Sequence, residues 1–394
     1  MRDRIQELLN IGGQRNFYKS NKFVFSLWLL VTLIFVIQSL VTHRYNNYLI
    51  FENTFRNLRL QQSLYAMYPT YHGDANHYGP VFSVLIAPFA VLNNAIGLLL
   101  WNIFNCIVLF KAVQSLPLSS KERLAIGYIA IPCLVASMLN QQFNAAAAGF
   151  IILSYTMLNK DKGIWSALFI ALGTFIKLYG IVGLAFFFFV KDKPRFIGWL
   201  VLWSVLLFVL PICFSSSSFV VNSYLDWEMS LVAKNVSNIL GAASDISIMG
   251  FFRNLLNKAA LSNELFLVIG SILFFIPYIN IKAYKMKKFQ LFILASALLF
   301  PVLFSTGTED CTYIIAIPAV GIWYVLEKSA KLKAYLLPIT IVIACDFPLL
   351  FFPRFANEHP IVLAMISVPF FIIWLRILQL AKQLNPDQTK LASV

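Results

Sequence analysis

Residues 164–190 of the chain, IWSALFIALGTFIKLYGIVGLAFFFFV, form an apolar run that is too long for a single membrane helix. A helix needs about 20 residues to cross the hydrocarbon core of a bilayer. Gly173, Lys177 and Gly180 interrupt the run near its middle, in the string GTFIKLYG. Glycine weakens a helix, and an ammonium group inside a membrane is costly without a partner. The run therefore predicts two short helices that meet near Lys177 and form a hairpin.

The composition of the whole chain indicates the same class of protein. Of its 394 residues, 59% are hydrophobic and only 12% are charged, which exceeds what a soluble core requires. The formal net charge is +14, but the basic residues form short clusters between apolar runs, unlike a nucleic-acid-binding stripe. The five cysteines have no CxxC spacing, so we expect no metal site, no disulfide framework and no cofactor. The sequence predicts an all-α polytopic membrane protein.

Further apolar runs supply the other membrane segments. Ten have a length close to one span: 23–42, 95–113, 123–139, 145–159, 196–213, 264–282, 288–305, 312–327, 335–352 and 361–379. Residues 80–93 are apolar but short and contain Pro80 and Pro88, which suits a half-helix in the outer leaflet. With both arms of the hairpin, the sequence predicts a single domain over 1–394 with about a dozen membrane segments.

The basic clusters orient these segments, because Lys and Arg collect in short cytoplasmic loops. If 80–93 does not cross and 164–190 turns back, the following clusters all face the cytoplasm: Lys121/Arg123, Lys160/Lys162, Lys191/Lys193/Arg195, Lys282/Lys285/Lys287/Lys288 and Lys328/Lys331/Lys333. Residues 43–94 and 214–263 then form two large extracytoplasmic loops. Within the first loop, residues 47–67 have the apolar spacing of an interfacial amphipathic helix.

This topology places the unusual polar residues on the extracytoplasmic side, where we expect one cavity. Its expected lining is Asp74, Gln142, Asn144, Lys177, Glu309 and Asp346. Lys177 needs an anionic partner, which is either Asp346, Glu309 or the phosphate of a ligand. His72 and His77 flank Asp74 and either bind the loop or contact a substrate, and a metal site is the least favoured interpretation.

Three motifs in these regions carry a family resemblance. The string YGPVFSVLIAPFAVLNNAIGLLLWNIFN at 78–105 resembles the YxP…PF…LW…N signature of glycosyltransferase family 87. The turn NQQFN at 140–144 is similar to the QxN turn of that family, and KLYG at 177–180 is similar to its hairpin. Tyr78, Pro80, Gln142, Asn144, Lys177 and Tyr179 are the matching residues. The resemblance covers about residues 40–200 and implies a GT-C fold.

Three positions depart from the family pattern. Gln141 replaces the glycine of the family's GQxN turn, and Gly180 replaces the proline of its hairpin. The third departure affects the chemistry. The family commonly places an aspartate shortly after the first span, whereas this chain has Asn47 there. An asparagine cannot act as a general base. Asp74 is therefore our first candidate for the base and Glu52 the second.

The resemblance implies transfer of a mannose-like hexose from a polyprenyl-monophosphate donor to a glycan or glycolipid acceptor. Lys177 would contact the donor phosphate. The remaining candidates for substrate binding are His72, His77, Tyr78, Gln142, Asn144, Tyr179, Glu309, Asp310 and Asp346. We expect a bacterial inner-membrane protein whose site faces the periplasm, with membrane lipid but no nucleic acid as a partner. A lipid or glycan flippase, and a polymerase or ligase that uses lipid-diphosphate-linked glycans, are the alternatives.

The topology can be tested by labelling single cysteines in a cysteine-free background. A cysteine at position 74 should react with an impermeant thiol reagent added to intact cells. Cysteines at positions 162, 193 and 287 should react only after the cells are opened, because basic loops stay in the cytoplasm. Labelling of position 162 from outside would contradict the topology.

Overall fold

The computed structural model describes residues 17–240, 245–258, 261–345 and 352–385. These residues form helices and loops, with no strand among them. In chain order the α-helices are α1 Asn21–Val41, α2 Asn46–Leu60, α3 Val81–Ala90, α4 Asn94–Gln114, α5 Ser120–Ile129, α6 Ile131–Leu139, α7 Asn144–Asn159, α8 Gly163–Lys177, α9 Lys193–Val209, α10 Ser217–Leu240, α11 Ile248–Leu255, α12 Asn263–Phe275, α13 Lys287–Leu303, α14 Tyr313–Leu326, α15 Ala330–Ala344, α16 Pro353–Glu358, α17 Pro360–Ala364 and α18 Ser367–Lys382. The 3₁₀ helices are Phe17–Lys19, Tyr179–Phe189, Leu210–Phe214, Ile276–Ile279, Ile281–Ala283 and Asp310–Thr312.

Several of these elements have the length and composition of a membrane span. Within the described ranges, four continuous segments qualify: Asn21–Val41, Asn94–Gln114, Lys193–Phe214 and Pro360–Lys382. Helices α5 and α6 bend by 48° where they meet and qualify together as a fifth. Shorter apolar helices, broken by prolines or by 3₁₀ turns, occupy the other apolar runs of the sequence. The predicted all-α polytopic membrane fold is confirmed.

The predicted hairpin is present, although its two arms are built differently. Helix α8 ends at Lys177, and Leu178 follows in a left-handed conformation with φ of 39°. The return arm, Tyr179–Phe189, is a 3₁₀ helix. Fifteen α-helical residues and eleven 3₁₀ residues both span about 22 Å, because a 3₁₀ helix rises further per residue. The arms therefore match in length.

Glycines allow the two arms to touch. A Cβ atom on Gly180 would overlap the backbone of Gly173, and one on Gly183 would lie 2.7 Å from the side chain of Ile170. These pairs run in opposite directions along the two arms, as an antiparallel hairpin requires. Gly180 is where the family commonly has a proline, and the close contact explains why a side chain is absent here.

The first loop also contains the predicted half-helix. Helix α3 has ten residues and is about 15 Å long, half of the roughly 30 Å hydrocarbon core. It packs on its neighbours through aromatic rings. The ring centroid of Phe82 lies 5.1 Å from that of Phe51 on α2 and 5.8 Å from that of Trp101 on α4. The interfacial helix α2 is shorter than the predicted range of 47–67. It stops at Leu60 because Gln61 adopts a left-handed conformation with φ of 52°.

One backbone hydrogen bond connects the first loop to the hairpin. The break after Lys177 leaves the carbonyl group of Ile176 without a helical partner. The backbone N–H of Gly79 donates to this oxygen at 3.0 Å. A Cβ atom at position 79 would overlap the carbonyl oxygen of Phe175, so only glycine permits this approach. The loop that precedes α3 is therefore held against the turn of the hairpin.

The hairpin contact predicts opposite effects for two glycine substitutions. Gly180→Ala should destabilise the protein by about 1–3 kcal/mol, because its methyl group collides with the backbone of the other arm. Gly198→Ala is the control, because Gly198 is exposed on α9 with open space around it. It should stabilise the helix by about 0.5–1 kcal/mol. Thermal unfolding of the detergent-purified variants, followed by tryptophan fluorescence, measures both effects. Equal midpoints would show that the arms are not in close contact.

Candidate active site

A cavity of about 350 Å³ lies where the first loop, the turn of the hairpin, helix α10 and the loop before α14 meet. Its lining is Asn47, Ile50, Phe51, Asp74, Ala75, Asn76, His77, Tyr78, Gln142, Lys177, Leu178, Tyr179, Trp227, Leu231, Lys234, Asn235, Asn238, Ser305, Thr306, Gly307 and Glu309. The residues come from six separate stretches of the chain. Folding thus brings most of the polar residues selected from the sequence to one place.

Lys177 is the cation at the turn of the hairpin. Its Nζ atom donates a 2.6 Å hydrogen bond to Oδ1 of Asn144. The same atom lies 5.5 Å and 5.1 Å from the ring centroids of Tyr78 and Tyr179, within the range of cation–π interaction. Among the described residues, Lys177 forms no ion pair. A neutral amide and two rings compensate a charge less well than a carboxylate does, so the ammonium group favours an anionic ligand.

A chain of hydrogen bonds links this lysine to a carboxylate. Asn144 is fully buried and donates from Nδ2 to Oε1 of Gln142 at 3.0 Å. Gln142 in turn donates from Nε2 to Oε2 of Glu309 at 2.9 Å. The same oxygen of Glu309 also accepts a hydrogen bond from the thiol group of Cys311, with 3.6 Å between sulfur and oxygen. The QxN turn therefore fixes the positions of the two charged groups without bringing them into contact.

Asp74 occupies a tightly hydrogen-bonded loop. Its carboxylate is exposed and lines the cavity. Among the described residues, its one hydrogen-bond donor is the N–H of the neighbouring Ala75, at 2.7 Å. Nδ1 of His72 forms a 2.6 Å hydrogen bond with the carbonyl oxygen of Asp74. His72 itself is buried behind the loop and does not line the cavity. The histidine supports the backbone of the loop, and the carboxylate remains accessible.

Asn47, at the position where the family commonly has an aspartate, lines the same cavity as Asp74. Nδ2 of Asn47 donates to the carbonyl oxygen of Asn140 at 2.8 Å. The adjacent Asn46 accepts the N–H of Gly73 at 2.8 Å, so the loop that carries Asp74 is attached to the start of α2. Asp74 therefore lies on a segment next to Asn47, the position where the family commonly has its aspartate.

His77 forms part of the contact between the first loop and helix α10. Its Nδ1 atom is 2.8 Å from Oγ of Ser230, and its carbonyl oxygen accepts a 2.9 Å hydrogen bond from Nε1 of Trp227. Burial, together with the nearby ammonium group of Lys234, lowers the pKa of His77 from 6.5 to about 4. The imidazole is therefore neutral at pH 7.

The other residues selected from the sequence lie in different places. Tyr179 lines the cavity and is hydrogen-bonded to Oγ of Ser305 at 3.1 Å. Glu52 does not line it, because its position on α2 directs it into a separate groove. Asp310 also lies outside the lining, and its Oδ1 atom accepts the N–H of Cys311 at 2.6 Å. Asp346 falls outside the described residues.

Helix α10 supplies a wall of the cavity that we did not predict. The sequence reads as a loop over 214–263, whereas Ser217–Leu240 is one helix of 24 residues. Its residues in the lining are Trp227, Leu231, Lys234, Asn235 and Asn238. Trp227, Leu231, Lys234 and Asn238 recur every three or four positions, which is the spacing of one helix face and the signal that would have revealed the helix. Lys234, like Lys177, forms no ion pair with a described residue.

Comparison with known proteins gives the family of the chain. No curated protein matches the chain. The model of glycosyltransferase family 87 matches residues 76–306, which is more than half of the chain. The matched region contains the half-helix, the QxN turn, the hairpin with Lys177, and helix α10. Asp74 lies just before it and Glu309 just after it. The chain therefore belongs to glycosyltransferase family 87 and is a membrane glycosyltransferase.

Proposed function

We propose that the protein transfers a mannose-like hexose from a polyprenyl-monophosphate donor to a hydroxyl group of a glycan or glycolipid acceptor. The observation that carries this proposal is the cavity with Lys177, whose charge is not paired with a described carboxylate. A phosphate group is the anion that such a lysine commonly binds. The surrounding apolar helices suit a donor whose phosphate is joined to a long lipid chain.

Two lysines of the cavity support the leaving phosphate. Lys177 approaches from the hairpin and Lys234 from helix α10, so positive charge is available on two walls. As the bond between the anomeric carbon and the phosphate oxygen breaks, negative charge grows on that oxygen. Fixed cations that face this charge lower the barrier, because they are already oriented before the reaction begins.

Asp74 is the better placed of the two carboxylates for accepting a proton. The carboxylate of Glu309 accepts hydrogen bonds from Gln142 and from the thiol of Cys311, whereas that of Asp74 accepts one, from the neighbouring Ala75, among the described residues. In the proposed step, the acceptor oxygen bonds to the anomeric carbon and its proton passes to the carboxylate of Asp74. The lipid phosphate leaves as a free monoester. No nucleotide or cofactor takes part.

The rest of the lining suits a sugar. Trp227, Tyr78 and Tyr179 offer aromatic surfaces, and Asn76, Asn235 and Asn238 offer amide groups for hydroxyls. A ring with one apolar face and several hydroxyl groups matches such a mixture. We further propose that the site faces the periplasm of a bacterial inner membrane, which agrees with the distribution of the basic loops.

Purified protein supplied with a radiolabelled polyprenyl-monophosphate hexose and an acceptor glycolipid provides the test of activity. Labelled glycan should form, and Asp74→Asn should reduce turnover by roughly 10²–10⁴-fold with little change in donor affinity, because only the base is lost. Glu52→Gln is the control and should have a much smaller effect, because Glu52 lies outside the cavity. Movement of lipid between leaflets without a new glycosidic bond would instead indicate a flippase. Full activity in Asp74→Asn together with a large loss in Glu309→Gln would move the base to Glu309.

Donor binding tests the role of the cation. Lys177→Met should weaken binding of a polyprenyl-monophosphate sugar by about 1.5–3 kcal/mol, because a charge-assisted contact to phosphate is removed. Lys162→Met is a matched control, since Lys162 is exposed and distant in sequence from the cavity lining. Equilibrium binding of a fluorescent donor analogue provides the measurement. Unchanged affinity in Lys177→Met would mean that this lysine serves only the packing of the hairpin.

A further inference from the structure

A second groove, of about 800 Å³, lies on the opposite side of helix α2 from the cavity that contains Lys177 and Asp74, which we call the sugar-transfer cavity. Its lining includes Glu52, Arg56, Arg59, Leu60, Tyr71 and Val91. These residues come from α2, from the loop before Asp74, and from the end of the half-helix α3. The two cavities share no lining residue, so the groove is a separate candidate binding site.

Two arginines give the groove its charge. Arg56 and Arg59 lie three residues apart on α2, where like charges repel each other. Neither forms an ion pair with a described residue. Both are nonetheless packed on aromatic rings, with the guanidinium carbons 4.8 Å from the ring centroid of Tyr71 and 5.9 Å from that of Phe55. Ordered and unpaired guanidinium groups are suited to a phosphate, which they can bind through two parallel hydrogen bonds.

Glu52 does not cancel this charge. The groove contains two guanidinium groups against this one carboxyl group, so its net charge is positive. Burial raises the pKa of Glu52, although Arg56 opposes the shift. Its Oε2 atom is buried and has no hydrogen-bond partner among the described residues. A protonated Glu52 would bring a hydroxyl donor into the same groove.

The rim of the groove is apolar. Leu60 at the end of α2 is 55% exposed, and Val91 just after α3 is 67% exposed. Both line the groove beside the arginines. Val91 lies three residues before Asn94, where the membrane span Asn94–Gln114 begins, so it is close to the boundary between lipid tails and head groups. A ligand that uses the whole groove must therefore combine an anionic group with apolar chains.

We propose that this groove binds the phosphate head group of an anionic phospholipid from the adjoining leaflet. Arg56 and Arg59 hold the phosphate oxygens, and the acyl chains lie along Leu60 and Val91. The bound lipid is distinct from the sugar donor and from the acceptor. Helix α2 also contributes Asn47, Ile50 and Phe51 to the sugar-transfer cavity. The bound lipid therefore contacts the opposite face of a helix that forms one wall of that cavity.

Lipid binding can be measured on the intact protein in phosphatidylcholine nanodiscs that contain a small fraction of phosphatidylglycerol. Native mass spectrometry counts the phosphatidylglycerol molecules that remain bound. Arg56→Gln and Arg59→Gln should each lower the affinity about fivefold, and the double variant about 25-fold, because each cation near a membrane contributes independently. Arg44→Gln is the control, since Arg44 is exposed nearby but lines neither cavity.

Two results would overturn the proposal. One is a double variant that is folded by circular dichroism and retains phosphatidylglycerol as well as the parent protein does. The other is an equal loss in Arg44→Gln, which would reduce the effect to general surface charge. A third arm uses inorganic phosphate in detergent without phospholipid. If phosphate alone protects the parent protein from thermal unfolding as well as phosphatidylglycerol does, and the Arg56→Gln/Arg59→Gln double variant loses that protection, the groove binds free phosphate and the lipid assignment is wrong.

Discussion

The hydrogen bond from the N–H of Gly79 to the carbonyl oxygen of Ile176 is the contact on which the site depends. A helix that stops inside a membrane exposes carbonyl groups that lipid cannot satisfy. Here Gly79, in the loop before α3, supplies the missing donor. The same contact brings Tyr78 over the ammonium group of Lys177. A requirement of the backbone therefore determines where the side chains of the site meet.

Much of the fold could be predicted because its breaks are marked locally. Glycines and an intramembrane lysine indicate the hairpin, and two prolines indicate the half-helix. The partners of Lys177 could not be predicted, because a sequence does not show which buried amide or ring approaches a given charge. The direction of Glu52 depends on the rotation of α2 about its axis, which is set by the neighbours of that helix. Helix α10 was missed because its polar residues resemble those of a solvated loop.

The structure shows how this chain can have an asparagine at position 47 and still present a carboxylate, that of Asp74, to the same cavity. The family pattern places a carboxylate on the first helix of the loop, whereas this chain has an amide there that binds the backbone of Asn140. Asp74 lies on a loop that is hydrogen-bonded to the adjacent Asn46 through Gly73. Two adjacent segments thus line one cavity, so a carboxylate on either segment would face the same space. Family membership establishes a membrane glycosyltransferase and leaves the roles of the individual residues in the cavity to be determined.

Leu178, the left-handed residue between the two arms of the hairpin, has a consequence for preorganisation. A non-glycine residue in this conformation costs roughly 1–2 kcal/mol, and a glycine would avoid that cost. A glycine would also allow the turn many more conformations, each of which would aim the neighbouring Lys177 differently. The leucine restricts them. The protein thus gives up stability at one residue, and in exchange the cation is already oriented when an anionic ligand arrives.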